Sequence, residues 1–189
     1  MRADNFNYGE EAMKTKRSDE QQVNFVEEII KKSLKDLIEF DIELLENPAQ
    51  KLHENCINHR LAVYIEKHLK KAGKEYLVDV EYNKSNYLPK KLMIRKGEEE
   101  NEIRPDIIVH SRTKNTESLE NNYLIIEAKK DKDSGYDEEK VKAFMSDEMF
   151  CYRFGCVIKY GDLQKNCKVK LFYYPLTGEL RPKELHLSE

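Results

Sequence analysis

At 189 residues the chain is the size of one domain and long enough to bury a core around a single sheet. Apolar residues make up 39% and charged residues 37%, but the apolar ones gather into short dense runs, which argues for a folded protein and against disorder. No stretch approaches the roughly 18 consecutive apolar residues of a membrane span, and Met1 to Arg17 hold no apolar signal core, so a cytoplasmic protein with no membrane partner is expected.

Cys56, Cys151, Cys156 and Cys167 form no CxxC pair and no paired Cys/His ligand spacing, which leaves reduced, partly buried thiols as the expectation. The net charge of −3 divides unevenly: residues 1–50 hold 7 Lys+Arg against 12 Asp+Glu, and the rest hold 26 against 24. The acidity thus sits in the N-terminal part, and a body of net +2 does not exclude a polyanionic partner.

Ser18-Asp-Glu-Gln21 has the form of a capping box. Val23, Val26, Ile30, Leu34, Leu37, Ile38, Leu44 and Leu45 follow at helical spacing, so a helix of about seven turns is expected. Asn47-Pro48 supplies a second start, leading through Leu52, Ile57, Leu61, Ile65 and Leu69 to a stop at Gly73. Residues 1–47 are read as an N-terminal helical arm and residues 48–189 as the main domain. After Gly73 the pattern becomes short β-branched and aromatic runs, expected as strands at Tyr76–Tyr82, Ile103–His110, Tyr123–Lys129, Phe154–Tyr160 and Val169–Tyr174. A helix over Asp137–Phe150 interrupts them, with Val141, Phe144, Met145 and Met149 at helical spacing. Residues 83–102 and 111–122 read as polar loops, and Leu176-Thr-Gly-Glu-Leu180 as a late turn. The order of elements defines an α/β protein.

The chemistry lies in Arg104-Pro-Asp106-Ile-Ile-Val-His110 and Tyr123-Leu-Ile-Ile-Glu-Ala-Lys129. Period two along the second strand puts Glu127 and Lys129 on one face and Leu124, Ile126 and Ala128 on the other. An acid and a base emerging together from an apolar strand are costly to desolvate unless a ligand or partner compensates. A divalent cation such as Mg²⁺ takes hard oxygen ligands, and one or two carboxylates with water and substrate phosphate are its usual shell. Asp106 and Glu127 supply such carboxylates if their strands are adjacent. Lys129 would then orient the nucleophile or stabilise charge developing on the phosphate.

Pro105-Asp106, followed by Glu127-Ala128-Lys129 at the end of an apolar strand, resembles the signature of the PD-(D/E)XK nuclease superfamily. The order of elements from residue 48 to about 175 also resembles that family's αβββαβ core. The resemblance implies a restriction endonuclease-like fold, with a mixed central sheet flanked by helices and the first helix as an addition. It implies a Mg²⁺-dependent nuclease, with Mn²⁺ as substitute, that leaves a 5′-phosphate, acting as endonuclease or exonuclease on DNA more readily than on RNA. Asp106, Glu127, Glu54 and Ala128 are the metal ligands it implies. Asp106, Glu127, Lys129 and Glu54 are the catalytic set it implies: in the family an acid on the helix before the sheet often assists metal binding, and Glu54 stands at the matching place, on one helix face with Ile57, Leu61 and Ile65. Lys140, Lys130 and Arg60 are candidates for phosphate-backbone contact.

Plainer readings stand beside these. ExK alone carries little weight in a chain this rich in Glu and Lys, since Glu138-Glu139-Lys140 is a second instance. Glu127 and Lys129 alone could form a surface ion pair, although Ile125-Ile126 before them argues for burial. His53-Glu54 fails as a zinc-protease motif because residue 57 is Ile, and Glu81 is left outside the set. The apolar stripe of the first helix caps the core or seats a second subunit or another protein; core packing with room for a homodimer is preferred. The rival to catalysis is a non-catalytic or partner-dependent module that keeps the nuclease fold and binds nucleic acid or protein.

Overall fold

Both Ser18 and Asp19 can cap a helix, and the choice between them is made by the sheet. Ser18 is buried in a two-residue strand β1 (Arg17–Ser18) that pairs in parallel with Tyr174 and Pro175. Asp19 therefore becomes the N-cap of α1 (Glu20–Asp41): its Oδ1 accepts from the Gln22 N–H at 2.8 Å, and its own N–H donates to Gln22 Oε1 at 3.3 Å. The capping box is one residue later than the sequence suggests. This computed structural model describes residues 17–43, 53–82, 84–85, 88–89, 91–95, 98–101, 103–111, 121–130, 135–148, 150–161 and 167–187. Leu44, Leu45, the Asn47-Pro48 start and Leu52 lie outside them.

The second helix, α2 (Glu54–Lys71), begins with His53 as cap. It ends where Gly73, at φ 70°, takes the left-handed conformation that lets Lys74 N–H bond back to the Leu69 carbonyl at 3.0 Å. Arg60 Nε and Tyr64 Oη both bond Asp41 Oδ2, and Lys67 and His68 reach Asp36, so polar ties hold α2 along α1.

The strands that follow are β2 (Leu77–Val80), the short ribbons β3 (Lys84–Ser85) with β4 (Leu88–Pro89) and β5 (Lys91–Arg95) with β6 (Glu98–Asn101), then β7 (Ile107–His110) and β8 (Asn122–Lys129). The two ribbons fall where the sequence reading expects loop: Glu98–Asn101 has no apolar alternation, and its pairing rests on main-chain bonds that leave no mark in hydropathy. Helix α3 (Tyr136–Ser146) precedes β9 (Phe154–Lys159), β10 (Lys168–Pro175) and β11 (Arg181–Leu185). The turn at residues 176–180 joins β10 to β11 as an antiparallel pair, and β11 itself is a strand that its polar sequence conceals.

Among the described residues the main sheet is mixed and seven-stranded, in the order β2, β7, β8, β9, β10, with β1 and β11 both pairing β10. β2, β7 and β8 run antiparallel, whereas β8 and β9 are parallel. A parallel neighbour needs a crossover, and α3 supplies it. On one face Leu124, Ile126 and Ala128 of β8 join a core with Val26, Ile30, Leu34 and Leu37 of α1 and Ile57, Leu61 and Ile65 of α2. On the other, Ile108, Ile125 and Val157 pack against Val141, Phe144 and Met145 of α3. The stripe of α1 is covered within the chain. No described helix is long and apolar enough to cross a membrane.

The close seat of α3 depends on Gly155. A Cβ there would stand 2.3 Å from Val141 Cγ1 and 2.6 Å from Met145 Sδ, so only glycine lets the helix lie this near β9.

Candidate active site

Antiparallel pairing sets Ile107 of β7 against Ile126 of β8. One step further, Asp106 comes opposite Glu127, and the Asp106 Oδ2 accepts the Ala128 N–H at 2.8 Å. That bond fixes the carboxylate at the mouth of the strand pair. Asp106 is 7% exposed and Glu127 only 1%.

From the opposite face, α2 brings Glu54 to the end of the same strand. Its Oε2 accepts the Lys130 N–H at 2.8 Å and its Oε1 lies 3.4 Å from Lys129 Nζ. Glu54 is held there because Ile57, Leu61 and Ile65, on its helix face, are fully buried against the sheet. Lys129 Nζ is also 3.9 Å from Asp106 Oδ2, so one ammonium bridges carboxylates from α2 and from the start of β7. The strand end is tied further by Tyr160, whose N–H donates to the Lys129 carbonyl at 2.8 Å and whose hydroxyl donates to Asn58 Oδ1 at 2.8 Å.

Helix α3 closes the other side. Lys140 Nζ lies 2.9 Å from each Glu127 carboxylate oxygen and donates to the Arg104 carbonyl at 2.9 Å. Of the two oxygens, Oε1 is buried and has no hydrogen bond. Asp137, in the first turn of α3, is buried in the same field: its carboxyl senses Lys129, Asp106, Lys140 and Glu54.

The electrostatics follow from burial. Desolvation is the largest influence on Glu127 and outweighs Lys140, pushing its carboxyl up to about 8. Asp106 and Asp137 are raised as well, again chiefly by burial. For Lys129 burial is the largest single influence and opposes charge, but Asp106, Glu54, Asp137 and Glu127 together hold the ammonium above the usual lysine range. Those carboxylates thus favour the ammonium form of Lys129.

The structure brings together Glu54, Asp106, Glu127, Ala128 and Lys129, and sets Lys140 on Glu127. Lys130 enters through its main chain. Arg60 is not brought to the site: it lies between α2 and α1, with Nε 2.8 Å from Asp41 Oδ2. Asp137 was missed by the sequence reading, although a signal was present. Asp137, Lys140, Val141 and Phe144 fall at the spacing of one helix face, so an acid heads the apolar stripe.

Four carboxylates (Glu54, Asp106, Glu127, Asp137) face two ammonium groups (Lys129, Lys140), leaving two negative charges when all are ionised. Hard oxygens, a buried Glu127 Oε1 that makes no hydrogen bond and meets only the charge of Lys140, and this surplus suit a divalent cation. As the side chains stand, no group of three His, Cys, Asp or Glu among the described residues is drawn close enough to hold one. Comparison of the chain with family models, with curated proteins and with solved structures gave no match.

Proposed function

We propose that the protein is a metal-dependent nuclease of the PD-(D/E)XK type, hydrolysing phosphodiester bonds, in DNA by preference. The observation that carries this reading is the meeting of Asp106, Glu127, Lys129 and Glu54 at one end of β7 and β8, although up to 75 residues separate them in the chain. The succession α2, β2, β7, β8, α3, β9, with β9 parallel to β8, is compatible with the restriction endonuclease-like core.

In this reading Asp106 and Glu127 are the principal ligands of Mg²⁺ or Mn²⁺, with Glu54 and the Ala128 main chain beside them. The bound ion would polarise the phosphate and acidify a water. The chain's own residues do the rest. The Ala128 N–H orients Asp106, the burial of Glu127 near the end of β8 keeps bulk water from it, and Lys129 presents a positive charge where a phosphate oxygen becomes more negative during attack.

The test is incubation with supercoiled, linear, single-stranded and branched DNA and with RNA, with and without Mg²⁺. Lys129→Ala is expected to lose at least ~100-fold in cleavage, as is usual when a transition-state donor is removed, while its circular dichroism stays native. Undiminished cleavage by that variant refutes the role. The open arrangement of the acids favours a second reading, a binding module without catalysis. That module would bind nucleic acid, show no cleavage and take up no Mn²⁺ by calorimetry.

A further inference from the structure

Lys140 already occupies the position at Glu127 that a metal would claim. Its Nζ stands 2.9 Å from both carboxylate oxygens, and its side chain is only 12% exposed. A carboxylate so deeply buried needs a compensating charge, and in this structure the lysine of α3 supplies it. A divalent ion bound to either oxygen at about 2.1 Å would stand within about 5 Å of that ammonium. Two cations that close, in a site shielded from water, repel strongly. That repulsion disfavours their sharing Glu127 as it is now arranged.

We infer that Lys140 is a displaceable internal cation, which holds the Glu127 carboxylate until a divalent metal enters and then leaves it. The inference rests on Glu127 being a metal ligand, as proposed above. Several features make the exchange feasible. Lysine binds as a compact charge on a flexible four-carbon stem, so it can swing away without moving the helix that carries it. The hydrogen bond to the Arg104 carbonyl is to an uncharged group at the outer side of the site, which gives weak retention once the carboxylate is taken. The released ammonium then lies at the mouth of the site, where a phosphate group must approach, so metal entry and a positive charge for the substrate come together.

Without metal, Lys140 offsets part of the charge that Glu127 carries when it ionises. A merely structural pair would behave differently: it would remain closed whether or not metal is present.

The two are separated by amine labelling of the full chain at pH 8 with an acylating reagent, read by peptide mass spectrometry. Lys70, 63% exposed, serves as internal reference. Mn²⁺ uptake is followed under the same conditions by calorimetry. On saturation Lys140 should label roughly fivefold faster relative to Lys70, the ratio of its present 12% exposure to the 63% of an open lysine. Mn²⁺ heat without any gain in Lys140 labelling overturns the exchange and leaves the nuclease reading intact. Absence of Mn²⁺ heat overturns both.

Discussion

Glu127 carries the sharpest consequence at the scale of single residues. A carboxyl raised by burial from 4.5 to about 8 binds its proton more tightly in the folded chain than in the unfolded one. Its contribution to stability is therefore full below pH 4.5 and is lost as pH climbs towards 8. Asp106 and Asp137 are raised as well and act in the same sense. Glu27, Asp36 and Glu138 are lowered instead, since neighbouring lysines, and for Asp36 also His68, outweigh the opposing effect of burial. In the presence of a chelator, the melting temperature is expected to fall between pH 5 and 8, and most of that slope should vanish in Glu127→Gln. A profile in the variant as steep as in the wild type would assign the effect elsewhere. At pH 7 the same variant should unfold within about 1 kcal/mol of wild type, because the amide keeps a hydrogen-bonding acceptor for Lys140.

At the scale of elements, the site is a product of how α3 sits on β9. Lys140 and Asp137 reach the acids only because Gly155 lets the helix approach, with Val141 and Met145 already in the space a side chain would need. Gly155→Ala is expected to cost about 1–3 kcal/mol in chemical denaturation, the usual range for overpacking. It should also raise the labelling of Lys140 in the absence of metal, as α3 is pushed outward. Native stability in this variant would show that α3 has freedom that the contact distances deny it. Helix α2 makes the matching contribution from the other face: its buried stripe sets Glu54 against the Lys129 side chain and the Lys130 N–H.

For the whole molecule, metal and protons compete for one carboxylate. Anything that binds only the folded state stabilises it, and a ligand that must displace a proton does so more strongly as pH rises. Mn²⁺ should therefore raise the melting temperature more at pH 8 than at pH 6, reversing the decline seen with chelator. A metal-induced shift independent of pH would mean that the ion sits away from Glu127. The acids lie at the ends of β7 and β8, inner strands of the sheet, between the face that α1 and α2 cover and the face that α3 covers.

Much of this was legible from residues in order. Alternation along Tyr123–Lys129 separates Glu127 and Lys129 from Leu124, Ile126 and Ala128, and helical spacing from Glu54 to Ile65 marks the face that meets the sheet. Those are local periodicities, imposed by geometry that repeats every 2 or 3.6 residues, so they survive in a one-dimensional string. The choice of Asp19 over Ser18 as cap, the ribbons between residues 84 and 101, the strand β11, and Arg60 turning to Asp41 do not. Each is decided by a partner distant in sequence. The charge pattern belongs to the same class: that Lys140 takes Glu127, and that Asp137 joins the acids, depends on the depth at which α3 packs, which a glycine on another element controls.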